Sequence, residues 1–159
     1  MGARSEALAK QFESKAREGL TTLEELTDAD WTKVTEAEQW PVGVTAHHLA
    51  GALEPISHMI KALAERESPG GLSRSMIDEM NAQHARTFAG CTKAETIELY
   101  ERGTATAAAT IRGLRDDQLT ISGTVLTDVP PMTTEQLIAM ALLGHIDEHF
   151  GSIRRTVGR

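Results

Sequence analysis

The stretch 133-TTEQLIAMALLGHIDEHFGSIRRTV-157 decides the fold. Its apolar residues Leu137, Ile138, Ala141, Leu142, Ile153 and Val157 return at three- and four-residue intervals, the signature of a helix with one buried face. Thr133 or Thr134 supplies the N-cap, and Arg154, Arg155 and Arg159 stand where the negative end of the helix dipole attracts cations. Within this helix His145 and His149 are four residues apart, which puts both imidazoles on one face, close enough to share an ion. At about 100° per residue, Ile138, Ala141, Leu142 and Ser152 fall within about 60° of His145, so the pair turns inward with the apolar side. Desolvated imidazoles need partners. Those partners are either hydrogen bonds within the core or a metal.

Working outward, the same period recurs four more times. From Ser5 to about Leu26 the apolar positions are Leu8, Phe12, Ala16, Leu20 and Leu23. A second helix runs from about Val44 to Glu65 on Leu49, Leu53, Ile56, Ile60 and Leu63, and Pro55 predicts a kink rather than a stop because the stripe resumes in phase. Met76, Ile77, Met80, His84 and Phe88 mark a shorter third helix ending at Gly90. Thr92 followed by Glu95 is a capping-box signal for a fourth, whose face is Ile97, Tyr100, Thr104, Ala107, Ala108, Ile111 and Leu114. Thr27 to Gly43 reads as a connection anchored by Trp31 and Trp40. Asp116 to Thr133 is the only β-branched alternation, too isolated for a sheet. The fold class is therefore all-α, four core helices plus one accessory segment, in a single domain over 1–159.

Composition agrees with one globular unit: 159 residues, 25% charged and 40% hydrophobic, enough to bury roughly 70% of the unfolded surface. Sixteen basic against 23 acidic side chains give a net charge of -7, which argues against nucleic acid as a partner. No run approaches the roughly 20 apolar residues of a membrane span, no signal-peptide pattern opens the chain, and the single Cys91 precludes an internal disulfide. The expected location is cytoplasmic. No Gly-rich phosphate loop or nucleophile-elbow pattern is present, so nucleotide binding and serine hydrolysis lack support. His145-Ile-Asp-Glu-His149 matches an inverted zinc-protease pattern, but that enzyme needs a ligand well downstream and few residues follow. Glu148 reads as an exposed helix residue or an outer partner of His145. The position of Cys91 at a helix start is expected to lower its pKa somewhat.

A third ligand must come from another helix, and Ala46-His47-His48-Leu49-Ala50 offers two histidines. Measured from the centre of the apolar stripe, His47 lies about 160° away and His58 about 180° away, both towards solvent, whereas His48 lies about 100° away at the edge of the buried face. His48 is the better ligand and His47 the surface residue. His84 shares a stripe with Ile77, Met80 and Phe88, but nothing pairs it at ligand spacing, so it reads as pocket lining or a satisfied core histidine. Three neutral imidazoles around a divalent ion would leave a coordination position open for water or a thiolate.

At these residues the chain resembles the DinB-like superfamily, which includes mycothiol-dependent maleylpyruvate isomerase-type domains. Trp40-Pro41-Val42, the Ala46-to-Gly51 segment, Asp78-Glu79-Met80-Asn81 and Leu143-Gly144-His145 through His149-Phe150-Gly151-Ser152-Ile153 carry the likeness, in order. The resemblance implies a four-helix bundle with a divalent metal, zinc or nickel, on His48, His145 and His149, and frequently a homodimer. It also implies a metal-dependent transferase or isomerase that takes a small-molecule substrate with a low-molecular-weight thiol as cosubstrate. Asn81 and His84 are then candidate polar groups at the pocket rim. The competing expectation is a non-enzymatic stress-associated or scaffold protein with a structural or vestigial metal site.

Overall fold

The computed structural model describes residues 2–159. In chain order the elements are α1 (Ala3–Glu25), a one-turn α2 (Asp28–Trp31), α3 (Val42–Ala64), α4 (Arg74–Thr87), α5 (Lys93–Arg112), a 3-10 turn (Asp116–Thr120) and strands β1 (Ser122–Gly123) and β2 (Met132–Thr133). The last helix is composite: α6 (Thr134–Leu137), a π-helical segment (Ile138–Leu143) and α7 (Gly144–Val157) run on without a break. Among the described residues no helix is long and apolar enough to cross a membrane.

Helices α1, α3, α5 and the composite last helix form the bundle, as the periodicity predicts, around a fully buried centre that includes Phe12, Leu49, Leu53, Tyr100, Ile111 and Phe150. The Tyr100 hydroxyl donates to the Ala16 carbonyl at 2.8 Å, and its ring meets Phe150 edge-on. This satisfies the one polar atom of a large core side chain. Helices α3 and α5 approach closely at Gly103, where a Cβ would stand 2.9 Å from that of Leu53. The capping box closes as expected: Thr92 Oγ1 accepts from Glu95 N at 3.2 Å, and Glu95 Oε2 accepts from Thr92 N at 3.1 Å. Thr133, not Thr134, caps the last helix, with Gln136 returning the bond. Helix α3 continues through Pro55 without interruption.

Three departures from the sequence reading bear on the site. The stripe of α4 is not a core stripe, because no α4 residue is fully buried and Met76, Met80 and Phe88 stand 47%, 55% and 40% exposed. The irregular stretch before the last helix does hold a minimal antiparallel ribbon, Ser122 with Thr133 and Gly123 with Met132. The π segment widens the last helix just before His145, so the even 100° step assumed from Ile138 onward does not hold across it.

Candidate metal centre and its cavity

Helix α3 is buried on every side over Val42–Ala50, where nine consecutive residues are shielded from solvent. Its stripe faces the bundle, while the opposite side is covered by α4 and Phe88. His48 therefore points across to α7 and meets both of its histidines, with ring centroids 5.3 Å from His145 and 5.0 Å from His149. His145 and His149 are themselves 4.4 Å apart and nearly perpendicular. The three rings can each offer one nitrogen such that all lie within 4.8 Å of one another. Two nitrogens sharing a tetrahedral zinc at 2.0 to 2.1 Å would be about 3.3 Å apart, so small ring rotations close the difference.

His48 and His145 are held neutral. Burial, reinforced by the charges of His149 and His84, lowers His48 to about 4. Burial, with His149 and His48, lowers His145 to about 3. Neutral imidazole is the ligating form. His145 Nε2 is buried with no hydrogen-bond partner, an atom that asks for an explanation and that a bound ion would satisfy.

His149 is anchored from a segment that periodicity leaves blank. Its Nδ1 lies 2.8 Å from Glu38 Oε1, and the other carboxylate oxygen accepts from the Ser152 hydroxyl at 2.6 Å. Both side chains are nearly sealed, 9% exposed for His149 and 7% for Glu38. Burial pushes the Glu38 carboxyl up, but hydrogen bonds from Ser152, Thr35 and His149 outweigh it and hold it below the usual value. An ionised Glu38 can only accept, so His149 Nδ1 is the donor and Nε2 is the nitrogen left free to ligate. The loop that presents Glu38 is tightly pinned: Thr35 N donates to Trp40 O at 2.8 Å, Val42 N to Lys33 O at 2.7 Å, and Gln39 turns the chain at a left-handed φ of 60°. Trp40 packs edge-on to His48, and Trp31 donates to the Cys91 carbonyl, so both tryptophans anchor the connection as expected. The signal for Glu38 was the inward His149 itself, since a ligating histidine pairs its other nitrogen with a carboxylate or carbonyl.

His47 corrects the sequence reading. It is 8% exposed rather than on the surface, stacked on Phe88, with Nδ1 2.9 Å from His84 Nε2. His84 thus has a partner, and it also stands beside His48 at 5.7 Å between centroids. Burial lowers the pKa of both His47 and His84. His58 is exposed as expected, and so is Glu148. Cys91 is a second correction: burial pushes its thiol up, not down, and it donates weakly to Gly43 O.

Beside the cluster lies a cavity of about 380 Å³, lined by eighteen residues from α3, Leu72 before α4, α4 itself, the 125–132 segment and the last helix. His48 and His145 form part of its wall, as do Asn81 and His84, both half-buried; His149 does not line it. A model of the Mycothiol maleylpyruvate isomerase N-terminal domain matches residues 12–143. The chain belongs to that family. It is thereby DinB-like, as the motifs around Trp40, His48 and His145 imply. The matched span takes in His48 but stops short of His145 and His149. Of the solved structures, the crystal structure of the mycothiol-dependent maleylpyruvate isomerase is similar in fold, with a TM-score of 0.68 at 14% identity, over 94% of this chain and 59% of that one. This family member thus spans somewhat over half the length of that relative. No curated protein matches the chain.

Proposed function

We propose that this protein is a divalent-metal-dependent transferase or isomerase acting with a low-molecular-weight thiol. His48, His145 and His149 would hold the ion, zinc or nickel, both of which imidazole nitrogen suits. The observation that carries the reading is the buried, unpartnered Nε2 of His145, in a cluster of three histidines beside a cavity. The family and the fold neighbour support the thiol, since both are described by mycothiol.

When bound, such an ion lowers the pKa of a coordinating thiol and so supplies a nucleophile at neutral pH. The chain's own residues do the rest. Glu38 holds the Nδ1 proton of His149 and fixes the ring, which keeps the lone pair of Nε2 available. Ser152 holds Glu38 in turn. The cavity can hold the electrophile beside His48 and His145, while the Asn81 amide and the His84 ring are further polar groups of its wall, able to donate to a substrate carbonyl. Cys91, protonated and turned onto Gly43 O, takes no part.

Elemental analysis of wild type, His149→Ala and His58→Ala tests the ligands: metal should be lost from the first variant and kept in the second. Turnover of a generic electrophile with cysteine, glutathione, mycothiol or bacillithiol tests the chemistry. Inactivity with all four thiols in metal-loaded protein favours a scaffold or stress-associated role. Equal metal in both variants rejects the ligand assignment.

A further inference from the structure

Three helices leave the histidine end of the cavity, and the wall each provides becomes wholly apolar beyond its first turn. Helix α3 passes from His48 to Gly51 and Ala52, then to Ile56 and Met59. The last helix leads back from His145 to Ala141, Met140 and Leu137, and α4 from His84 and Asn81 to Met80 and Ile77. The three histidines of the wall are gathered, the ring of His48 lying 5.7 Å from that of His84 and 5.3 Å from that of His145. Every polar residue of the wall is therefore at this end. We infer that the cavity is a lengthwise groove for an electrophile with an unbranched apolar chain, its reactive end at His48 and His145 and its chain laid along α3 towards Met59. The electrophile rests on the thiol-dependent reading of the same site; the shape of the groove does not.

Room for the chain comes from small residues. Gly51 and Ala52 stand three and four positions after His48, and Ala141 four before His145, so the wall beside both histidines carries almost no side chain. A Cβ on Gly51 would meet nothing closer than 3.7 Å. Length comes from α3, which at 1.5 Å per residue advances about 16 Å from His48 to Met59. The character of the wall suits a chain better than a flat ring: Met59, Met80, Met132 and Met140 are unbranched and polarisable, and no Phe, Tyr or Trp is present to stack on an aromatic occupant. The mouth past the exposed Met80 and Met140 is open, so a chain lies on the wall without being sealed there. A fully buried methylene is worth about fourfold in affinity, and one that stays half wet about twofold.

Chain length is the variable to titrate, without turnover or thiol. Zinc-loaded full chain is titrated by calorimetry with aceto-, butano- and octanohydroxamate, whose common head seeks the ion. Affinity should rise by at least about tenfold from butano- to octanohydroxamate, and the branched 2-propylpentanohydroxamate, of equal carbon count, should bind at least about threefold more weakly than the linear compound. Ala52→Phe, which fills the groove one turn from His48, should remove most of the gain from chain length while zinc content and acetohydroxamate affinity hold. Ile56→Thr, a milder change two turns along, should cost octanohydroxamate at least about threefold and acetohydroxamate nothing. In parallel, metal-free protein isotope-labelled at its methionine methyl groups is titrated with 1-octanol and followed by NMR. The signals of Met59, Met80, Met132 and Met140 should shift, and that of Met76, outside the wall, should not. Equal affinity for butano- and octanohydroxamate, or for linear and branched chains, overturns the proposal, as do octanol shifts at Met76 as large as those at Met59. Protein that shows the octanol shifts but takes up no zinc would instead reject the metal-dependent reading and leave the chain-binding groove standing.

Discussion

Replacing Glu38 by alanine should damage the histidine cluster from outside it. The carboxylate receives the Ser152 hydroxyl at 2.6 Å and pairs with His149 Nδ1 at 2.8 Å, with its side chain 7% exposed. Hydrogen bonds to a charged group are worth about 1.5 to 3 kcal/mol each, and the variant leaves both partners buried and unpaired. Part of that is recovered by relaxation and water entry, so we expect a loss of about 3 kcal/mol in the metal-free protein. For a domain of this length, that lowers Tm by about 6 to 12 °C. His149 is also freed to rotate and to place its proton on either nitrogen, which should weaken zinc binding about 10- to 100-fold. Glu38→Gln keeps the shape and an acceptor and should fall between. Calorimetry of the metal-free proteins and zinc competition against a chromophoric chelator measure the two effects separately. A zinc Kd within twofold of wild type in Glu38→Ala, alongside the fall in Tm, would refute the positioning role and leave Glu38 a purely structural residue.

Metal-free protein should lose stability as pH falls. Folded His48 and His145 sit at about 4 and about 3, below the roughly 6.5 of the unfolded chain, so their contribution is full above about pH 6.5 and declines as the unfolded chain gains protons, by up to about 1.4 kcal/mol per pH unit for each. Urea titrations between pH 7.5 and 4.5 check this, and a flat profile contradicts it. Gly19→Ala should destabilise by about 1 to 3 kcal/mol, because the new Cβ would lie 2.4 Å from Phe150 Cε2 and 2.5 Å from the Tyr100 hydroxyl; an unchanged denaturation midpoint would count against that packing. Thr92→Ala removes the cap of α5 and should cost about 1 kcal/mol by the same measurement, with zinc binding unaffected.

What could be read from residues alone was set by how far one helix face defines its surroundings. Leu53, Ile60, Ile111 and Phe12 declare themselves because each lies on a single stripe against a single core. His145 and His149 declare themselves because i, i+4 spacing is local, and it stays true within α7 although the π segment upsets the count from Ile138. His47 does not, because α3 is covered on both sides over Val42–Ala50 and its second cover, α4 with Phe88, is remote in sequence. Glu38 was hidden for a different reason. It sits in a loop with no period, and its role depends on a contact spanning 111 residues.

Helix α4 supplies Ile77, Met80, Asn81 and His84 to the cavity wall, yet it has no fully buried residue of its own. Its N-terminal end is tethered by few bonds, Thr127 N to Leu72 O and Arg74 N to the Asp128 carboxylate. A helix of 14 residues has little stability in isolation, so α4 is ordered by what it leans on. Its amides should accordingly exchange hydrogen through a local opening well below the free energy that protects α3 and α5. Each such opening unroofs the histidines while the four-helix core stays folded. The cavity already meets solvent past the exposed Met80 and Met140, so lifting α4 would widen that mouth for bulkier occupants rather than create it.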